Sequence, residues 1–277
     1  MIDMFEEILQ NVYKNKPMVH NITNYVTVND CANIILACGG SPIMADDIDE
    51  VCEITGICKS LVINIGTLNS RTVRAMASAG RKANELSHPV VLDPVGAGAS
   101  VLRTQTALNL LENVNFSVIR GNISEIKAIA RKATSTKGVD ADVADSVTDE
   151  NLDEVIEFAC KLSKTVNSVI TITGAIDIVT DSKKTYVIKN GCATMSKITG
   201  SGCMLTCVIG SYCGANPENI LDATAAAVVA MGLCGELAEK KMIERNEGTG
   251  SFRTYLIDNM SNLDINKLNG GMKLEIR

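Results

Sequence analysis

Four apolar runs stand out along the first two thirds of the chain, and each is too short for an ordinary helix. Their side chains are almost continuously apolar, as in the Leu-Val-Ile of one run and the Val-Val-Leu of the next. Parallel strands that are covered on both faces have this composition, because neither face meets water. The pattern predicts buried parallel strands over residues 60–65, 89–93, 116–120 and 168–173.

Helical periodicity occupies the segments between these runs. The clearest case covers residues 70–86, where Val73, Met76 and Gly80 recur at helical spacing and Asn69 is placed to cap the first turn. A chain that alternates strands and helices builds a parallel sheet with right-handed crossovers. The predicted fold class is therefore α/β.

The pattern changes in the last third of the chain. Three short runs are predicted as antiparallel strands: residues 177–180, 185–189 and 193–196. Apolar helices are predicted over residues 201–213, 217–240 and 251–259. Neither repeats nor a linker divide the chain, so we predict a single domain over residues 1–277, with a long surface loop at residues 132–150.

Composition and charge narrow the possible functions. Hydrophobic residues make up 46% of the 277 residues and charged residues 21%, which is typical of an ordered globular protein. The net charge is −6 and aromatic residues make up only 3%. Nucleic acid is therefore not expected as a partner, because the chain offers neither a broad cationic surface nor stacking platforms.

We expect a cytoplasmic protein with no membrane partner. The first ten residues are acidic and amphipathic, unlike a secretory leader, and the apolar run at residues 223–233 is too short to cross a bilayer. The ten cysteines lie mostly inside apolar patterns, and the chain has no Cys-x-x-Cys and only two histidines. This usage favours reduced, buried thiols and argues against a zinc site.

Residues 198–203 carry the first candidate chemistry. Gly200 and Gly202 flank Ser201 directly before a predicted apolar helix, so backbone amides can approach a ligand closely. The helix start adds unpaired N–H groups and a partial positive charge, which together favour phosphate. An ordinary glycine-rich helix start is the alternative. The segment is not a Walker A loop, because no Gly-x-x-x-x-Gly-Lys occurs in the chain.

Asp93 ends a predicted strand, and ligands of open α/β sheets bind outside such strand ends. We interpret it as a carboxylate that orients a metal-bound water or a phosphate, with a turn or helix cap as the alternative. The following Gly96 and Gly98 half resemble a dinucleotide fingerprint, but Val101 replaces the third glycine. As evidence for a Rossmann site this is weak.

Arg120, Asn122 and Glu125 follow the next predicted strand. Asn122 and Glu125 are three residues apart, so they project from the same helical turn beside a cation. A carboxylate, an amide and a guanidinium at one strand end suit a Mg²⁺-nucleotide. Capping of the helix by Asn122 or Ser124 is the alternative.

Taken in chain order, these segments resemble the hydroxyethylthiazole kinase family, a branch of the ribokinase-like fold. The resemblance covers almost the whole chain, and its segments together are highly specific. They are residues 19–24, 41–45, 64–68, 93–98, 120–125, 199–203 and 248–252. The resemblance implies a three-layer α/β/α architecture with a central, mostly parallel sheet flanked by helices.

The resemblance also implies an activity: ATP-dependent phosphorylation of the hydroxyl of 4-methyl-5-(2-hydroxyethyl)thiazole, in thiamine salvage. It implies a homotrimer with an active site at each subunit boundary, ATP as co-substrate and Mg²⁺ as cofactor. By motif position, the resemblance implies that the thiazole is bound by Asn24, Met44, Gly66 and Gly200, and that ATP is bound by Arg120, Asn122 and Thr173. It implies that Mg²⁺ is held through water by Asp93 and Glu125. It also implies that the anion hole is formed by Gly200, Ser201, Gly202 and Cys203.

Cys203 stands where the wider ribokinase-like fold has an aspartate as catalytic base, although the thiazole kinase branch resembles this sequence in having Cys there. A thiol with the usual pKa of about 8.5 is mostly protonated at pH 7, and a helix N-terminus is expected to raise its thiolate fraction. Phosphoryl transfer depends mainly on positioning and charge stabilisation. We therefore expect a modest enzyme. A second departure is Thr249, where the family usually has Pro.

Other functions remain as alternatives. A pyrimidine-alcohol kinase or an ATP-dependent nicotinamide-nucleotide-hydrate dehydratase of the same fold would reuse the anion hole, but the segments around Asn24 and Met44 disfavour both. An NAD-dependent oxidoreductase would need the turn at Gly96 and Gly98 to bind pyrophosphate. A non-catalytic ligand-binding relative would have lost its turnover at Cys203.

Overall fold

The computed structural model describes residues 2–133 and 146–277. Within these residues, nine strands form one sheet. In chain order, β1 to β9 are Met18–Ile22, Ser41–Met44, Ser60–Asn64, Val90–Asp93, Val118–Gly121, Val169–Ile172, Asp177–Thr180, Thr185–Ile188 and Leu274–Ile276.

Helices occupy most of the connections between the strands. In chain order, α1 to α11 are Ile2–Asn15, Val28–Ala37, Val51–Ile57, Ser70–Glu85, Val101–Asn113, Ile123–Ala133, Leu152–Val166, Ser201–Ala215, Ile220–Glu244, Thr249–Ser261 and Ile265–Gly271. A short 3₁₀ helix, Ala193–Lys197, precedes α8.

The strand order across the sheet is β2-β1-β3-β4-β5-β6-β7-β8-β9. The strands from β2 to β6 pair in parallel, and β7, β8 and β9 continue the sheet with antiparallel pairing. The predicted mostly parallel sheet is confirmed.

The sheet separates two apolar clusters. In β3, Val62 packs into one cluster, while Leu61 and Ile63 pack into the other, because successive side chains of a strand point to opposite faces. Helices α1, α2, α8, α9 and α10 contribute to the cluster of Val62, and α4, α5, α6 and α7 contribute to the cluster on the opposite face. The implied three-layer α/β/α architecture is therefore confirmed.

Most elements predicted from the hydrophobic pattern are present. The four buried strands appear as β3, β4, β5 and β6, with ends shifted by one or two residues, and the first two antiparallel strands appear as β7 and β8. The helix predicted over residues 70–86 is α4, and the Asn69 side chain accepts hydrogen bonds from the amides of Arg71 and Thr72, which confirms the cap. The three C-terminal helices appear as α8, α9 and α10.

The antiparallel strand predicted at residues 193–196 is wrong, because this segment lies in the 3₁₀ helix. Gly191 turns the chain with a φ of 127°, and its N–H donates to Glu236 of α9 over 2.9 Å. The Thr194 hydroxyl donates to Glu239 of the same helix. These contacts hold the segment against α9, and β9 pairs with β8 at the edge of the sheet instead.

The surface loop predicted at residues 132–150 falls largely on residues 134–145, which lie outside the described residues. The described ends of this span are the last residues of α6 and a bend and turn at residues 146–150. The prediction of a loop is therefore tested only at its two ends.

Helix α9 is long and apolar enough to cross a membrane by length and composition, and it is the one such helix among the described residues. By length this differs from the expectation that no segment would suffice. However, 78% of its most apolar window is buried inside the protein, and α9 packs against α8 and α10. These are the properties of a core helix.

Candidate active site

The carboxyl ends of β3, β4 and β5 lie side by side at one edge of the sheet. They bring together three polar side chains, those of Asn64, Asp93 and Arg120. The register of β3 and β4 places Asn64 opposite Asp93. Arg120, near the end of β5, lies with its Nη1 3.7 Å from Asp93 Oδ2. Asp93 and Arg120, which the sequence pattern assigns to separate strand ends, therefore lie together at this edge.

Asp93 is fully buried at the centre of this edge. Its Oδ2 accepts hydrogen bonds from Asn64 Nδ2 over 2.8 Å and from Thr206 Oγ1 over 2.9 Å. Its Oδ1 is buried and has no hydrogen-bond partner within the described residues. Burial raises the pKa of Asp93 to about 6, and the Glu125 charge adds to the rise, although the Arg120 guanidinium opposes it.

Cys203 lies in the first turn of α8 with its sulfur directed at two amides. Asn24 Nδ2 and Asn64 Nδ2 each donate to the sulfur over 3.3 Å. Burial raises the pKa of the Cys203 thiol, and the Asp93 charge adds to the rise, although the neighbouring Thr27 hydroxyl and the Asn24 amide oppose it. The expected gain in thiolate from the helix start is therefore wrong, because desolvation outweighs it.

Two glycines allow close approach at the start of α8. Gly200 has a φ of 85°, and a Cβ there would lie 2.6 Å from Thr27 Cγ2. A Cβ on Gly202 would lie 2.5 Å from Arg120 Nη1. Gly200 brings no capping side chain, and the first-turn amides, which include that of Ser201, have no acceptor within the helix. These amides lie beside a guanidinium and can bind an anion.

A cavity of about 540 Å³ opens beside this helix start. Five predicted residues line it: Arg120, Asn122, Thr173, Ser201 and Gly202. Apolar side chains supply much of the remaining wall, among them Met195, Leu205, Val228 and Met231. Arg120 Nη2 donates to Thr173 Oγ1 over 2.6 Å, while the buried Arg120 Nε has no partner among the described residues. The cavity thus combines an anion-binding end with an apolar wall, as nucleotide sites do.

A larger cavity, of about 590 Å³, lies on another part of the surface. Its lining includes Phe116 and Ser168, which precede β5 and β6 and so lie at the amino ends of those strands. None of the predicted site residues lines it. The candidate active site is the cavity at the carboxyl ends, where five predicted residues lie, because size alone does not indicate chemistry.

Asp177 lines the cavity of about 540 Å³, and its titration is expected to make the stability of the protein depend on pH. Burial raises its pKa to about 7, although the Gly174 amide and the Arg120 charge oppose the rise. An acid whose pKa is higher in the folded state binds more protons there, so stability falls as pH rises from about 4 to 7. Asp177→Asn is therefore expected to raise the urea midpoint at pH 8 by more than at pH 5. The exposed Asp149→Asn serves as control, and an equal rise at both pH values would contradict the assignment.

Glu125 and Asn122 form a reciprocal cap at the start of α6. Glu125 N donates to Asn122 Oδ1 over 2.8 Å, and Asn122 N donates to Glu125 Oε2 over 2.9 Å. Glu125 Oε1 accepts from Gly96 N over 2.8 Å. Capping, the alternative weighed for Asn122, is thus present. Both oxygens of Glu125 hold backbone amides, so this carboxylate also fixes the loop after β4 against the loop after β5.

Gly66 joins the cluster around Cys203, while Met44 lies apart from it. Gly66 N donates to Asn64 Oδ1 over 2.9 Å, and a Cβ on Gly66 would lie 3.0 Å from Asn24 Cβ. Met44 ends the edge strand β2, is half-buried and packs against the core. The structure therefore gathers Asn24, Gly66 and Cys203 around Asn64, which ends β3. Met44 ends β2, which is separated from β3 by β1.

Two residues of this site escape the sequence analysis. Asn64 precedes the predicted Gly66 by two residues and ends a predicted strand, and this position could have indicated a site residue. Thr206 follows Gly202 by one helical turn and bonds to Asp93, but nothing local marks it. Both act across long sequence separations that a local pattern does not reveal.

Comparison with solved structures first establishes the class of protein. The fold is similar to that of a hydroxyethylthiazole kinase protein from Pyrococcus horikoshii, with a TM-score of 0.87 and 33% identity over 99% of each chain. It is also similar to an ADP complex of Bacillus subtilis pyridoxal kinase, with a TM-score of 0.58 and 17% identity over 79% of this chain and 91% of the other. The fold is that of the ribokinase-like kinases.

Comparison of sequences then establishes the family. The model of the hydroxyethylthiazole kinase family matches residues 9–266. Hydroxyethylthiazole kinase of Clostridium acetobutylicum is 59% identical over 98% of this chain and 99% of its own length. That of Clostridium tetani is 51% identical over 97% of each chain. This chain belongs to the hydroxyethylthiazole kinase family.

Proposed function

We propose that this protein transfers the γ-phosphoryl group of ATP to the hydroxyl of 4-methyl-5-(2-hydroxyethyl)thiazole, in thiamine salvage. Membership of the family supports the reaction. The observation that carries the proposal is the position of the start of α8, which lies between the nucleotide cavity and the predicted thiazole residues. Gly202 lies against Arg120 of the nucleotide cavity, and Gly200 lies against Thr27, which follows the predicted thiazole residue Asn24.

In the proposed complex, ATP occupies the cavity of about 540 Å³. Its base lies against the apolar wall, and Arg120, Thr173 and Asn122 face the phosphates. The unpaired Nε of Arg120 supports this orientation, because a buried guanidinium N–H without an acceptor is costly until an anion binds it. Asn122 contributes through its position at the start of α6, since its side-chain oxygen is already used in the cap.

The main catalytic contribution is electrostatic. Charge that develops on the transferring phosphoryl oxygens is held by the amides of Ser201, Gly202 and Cys203, which are fixed before the substrate arrives. Arg120 neutralises further phosphate charge from the other side. Since phosphoryl transfer depends mainly on such positioning and charge stabilisation, these groups account for most of the rate enhancement.

Cys203 is proposed to receive the proton of the substrate hydroxyl. The raised pKa of its thiol means that the thiolate is a minor species at neutral pH, and general-base help is worth on the order of 10²–10⁴-fold when the base is ionised. The resulting enzyme is a slow one whose anion site still works. Asn24 and Gly66, beside the sulfur, would face the thiazole, with Met44 at the outer side of the same edge.

The donor set at Asp93 fits a Mg²⁺ ion. Its Oδ1 is a buried oxygen without a partner among the described residues, and Mg²⁺ is usually held by one or two carboxylates together with water and phosphate oxygens. Each oxygen of Glu125 accepts one hydrogen bond among the described residues, and Glu125 would act through water. No group of three or more acidic, histidine or cysteine ligands occurs in the described residues. When bound, the ion would neutralise phosphate charge.

We also propose a homotrimer whose subunit boundaries complete the thiazole pocket. Large apolar side chains lie exposed in the two segments that follow the predicted thiazole residues Asn24 and Met44. Tyr25 and Val26 follow Asn24 and are 79% and 57% exposed, and Ile48 follows Met44 and is 39% exposed. Covering them with another copy would remove this apolar surface from water. Sedimentation of the protein at micromolar concentration checks the trimer, and a monomer would contradict it.

We also propose that residues 1–277 form a single domain and that the protein is cytoplasmic, as expected from the sequence. The sheet runs from β1 near the start of the chain to β9 at its end. All ten cysteines are free thiols, which is the usage of a reducing compartment.

The reaction is tested by incubating the protein with Mg²⁺, ATP and the thiazole alcohol and by detecting the phosphate ester and ADP. Nicotinamide-nucleotide hydrate and a pyrimidine alcohol serve as alternative substrates in parallel reactions. We expect ester formation from the thiazole alcohol and less than a tenth of that rate, as an order of magnitude, from the others. A reversed preference would reject the thiazole assignment, and nucleotide binding without turnover would reject catalysis.

Cys203→Asp is expected to keep kcat or to raise it, by up to about tenfold. A carboxylate is ionised to a much greater extent at pH 7 than this thiol, so more of the enzyme carries a base, and the amides of Asn24 and Asn64 can donate to it as they donate to sulfur. Cys203→Ala, which removes the thiol without supplying a base, is the matched control and is expected to be slower than the native protein. If Cys203→Asp loses most of its turnover, the base assignment is wrong.

A further inference from the structure

Asn64 makes four side-chain hydrogen bonds in the candidate site, although neither the motif roles nor the cavity lining includes it. It is 1% exposed at the end of β3. Its Nδ2 donates to Asp93 Oδ2 over 2.8 Å and to Cys203 Sγ over 3.3 Å. Its Oδ1 accepts from Asn24 Nδ2 over 3.0 Å and from Gly66 N over 2.9 Å. All four bonding positions of the amide are therefore used.

Backbone donors fix the orientation of both amides. Gly66 N can only donate, so the atom of Asn64 that it contacts is the oxygen, and Nδ2 must face Asp93 and Cys203. Thr27 N likewise donates to Asn24 Oδ1 over 3.1 Å, which turns Asn24 Nδ2 towards Asn64 and the sulfur. A flip of either amide would place two donors or two acceptors against each other.

This arrangement determines how the sulfur can bond. Two amide N–H groups approach Cys203 Sγ, so two of its lone-pair directions are used by Asn24 and Asn64. The nearby Thr27 hydroxyl donates its hydrogen to Asn24 Oδ1 over 3.0 Å, so a thiolate keeps one lone pair that can accept the proton of a substrate hydroxyl. In the thiol this third direction carries the S–H hydrogen. Asn64 thus selects the rotamer in which the sulfur can exchange a proton.

We propose that Asn64 is a positioning residue, which acts through the Cys203 sulfur and holds it in register with Asn24 and Asp93. The proposal rests on the proposed kinase reaction for its kinetic consequence. Its structural part, the hold on the sulfur, does not depend on that reaction. Asn64 does not line the cavity and bonds only to residues that are themselves proposed to meet ligands, so its effect is on the arrangement of those residues.

Thr206 offers a matched control. Its hydroxyl donates to the same Oδ2 of Asp93 over 2.9 Å, on the same edge of the site, but it has no hydrogen bond to Cys203 in the structure. Thr206→Val therefore removes one donor from Asp93 without changing the sulfur. Asn64→Asp removes a donor from Asp93 and also replaces the donor at the sulfur with an acceptor.

The experiment measures kcat and KM for both substrates in Asn64→Asp and Thr206→Val, each in the native and in the Cys203→Ala background. We expect Asn64→Asp to lower kcat on the order of tenfold in the native background, with KM for ATP changed by less than about twofold. In the Cys203→Ala background the loss is expected to shrink at least about threefold. Thr206→Val is expected to have the same effect in both backgrounds, because it does not act through sulfur.

A second readout needs no turnover. Iodoacetamide labelling of the native chain without ligands is followed by mass spectrometry at Cys203, with the half-buried Cys52 as internal reference. Asn64→Asp is expected to slow labelling of Cys203 several-fold, since the thiolate loses a donor and gains a neighbouring charge. Thr206→Val is expected to change it by less than about twofold.

Equal kcat losses by Asn64→Asp in the two backgrounds, or unchanged labelling of Cys203, would overturn the proposal. Should Asn64→Asp not fold, Asn64→Ser replaces it in the kinetic comparison, with the same expected loss of effect in the Cys203→Ala background. If the native protein forms no phosphate ester, the proposed function fails, and labelling alone decides the role of Asn64.

Discussion

Gly202→Val is expected to lower kcat by about 10²–10³-fold, the usual cost of losing oxyanion-type donors. A Cβ at this position would lie 2.5 Å from Arg120 Nη1, and both terminal nitrogens of the guanidinium crowd the same space. The side chain must therefore displace either Arg120 or the first turn of α8. Either movement separates the backbone amides from the cation that together are proposed to hold the transferring phosphoryl group.

The measurement is steady-state kinetics with the thiazole alcohol and ATP, together with thermal unfolding to confirm that the variant folds. Gly56→Val is the matched control, since a Cβ on Gly56 of α3 would meet nothing within 4 Å. We expect that control to keep kcat within about threefold. A Gly202→Val enzyme with native kcat would show that the start of α8 is not the anion hole.

Asp93→Asn is expected to lower kcat by about 10²-fold or more. The substitution keeps the size of the side chain, and the remaining oxygen can still accept from Asn64 and Thr206. What is lost is the negative charge beside Arg120 and the unpaired buried oxygen, Oδ1, that is proposed to serve Mg²⁺. Because these functions need a carboxylate, an amide of the same shape does not replace them.

The dependence of rate on Mg²⁺ concentration separates this role from a structural one. We expect Asp93→Asn to require at least about tenfold more Mg²⁺ for half-maximal rate. Asp30→Asn is the control: Asp30 is also a buried carboxylate, but it pairs with Arg253 of α10. That variant is expected to lose stability and to keep its Mg²⁺ dependence. An unchanged Mg²⁺ dependence in Asp93→Asn would reject the metal assignment.

The parallel strands of the centre of the sheet were predictable because both of their faces are covered and their runs are wholly apolar. The strands β1 and β2 escape the same reasoning. In β1, His20 and Asn21 are buried but polar, and their side chains are satisfied by Thr55, the Ala45 carbonyl and the Val19 carbonyl. The partners of His20 come from other segments, and Asn21 also accepts from Cys207 Sγ over 3.3 Å, so the pattern of β1 itself does not indicate burial. In β2, a proline is tolerated because the strand lies at the edge.

The site was predictable to a similar extent. The position of Asp93 and Arg120 at strand ends and the glycines before α8 follow from local rules, and the structure places these residues together. The state of Cys203 does not follow from its helix position, because the desolvation that raises its pKa depends on residues distant in sequence. For the same reason, the bonds from Asn64 to a sulfur 139 positions away have no local signature.

Position 200 excludes every side chain for two independent reasons, its left-handed torsion and the methyl group of Thr27 directly beside it. Position 203, three residues later, has no left-handed torsion and carries a side chain between the amides of Asn24 and Asn64. The proposed phosphate site is thus restricted by geometry at position 200, while the proposed proton acceptor at position 203 is not. Divergence among enzymes of this fold can therefore alter the proposed proton acceptor without rebuilding the proposed phosphate site.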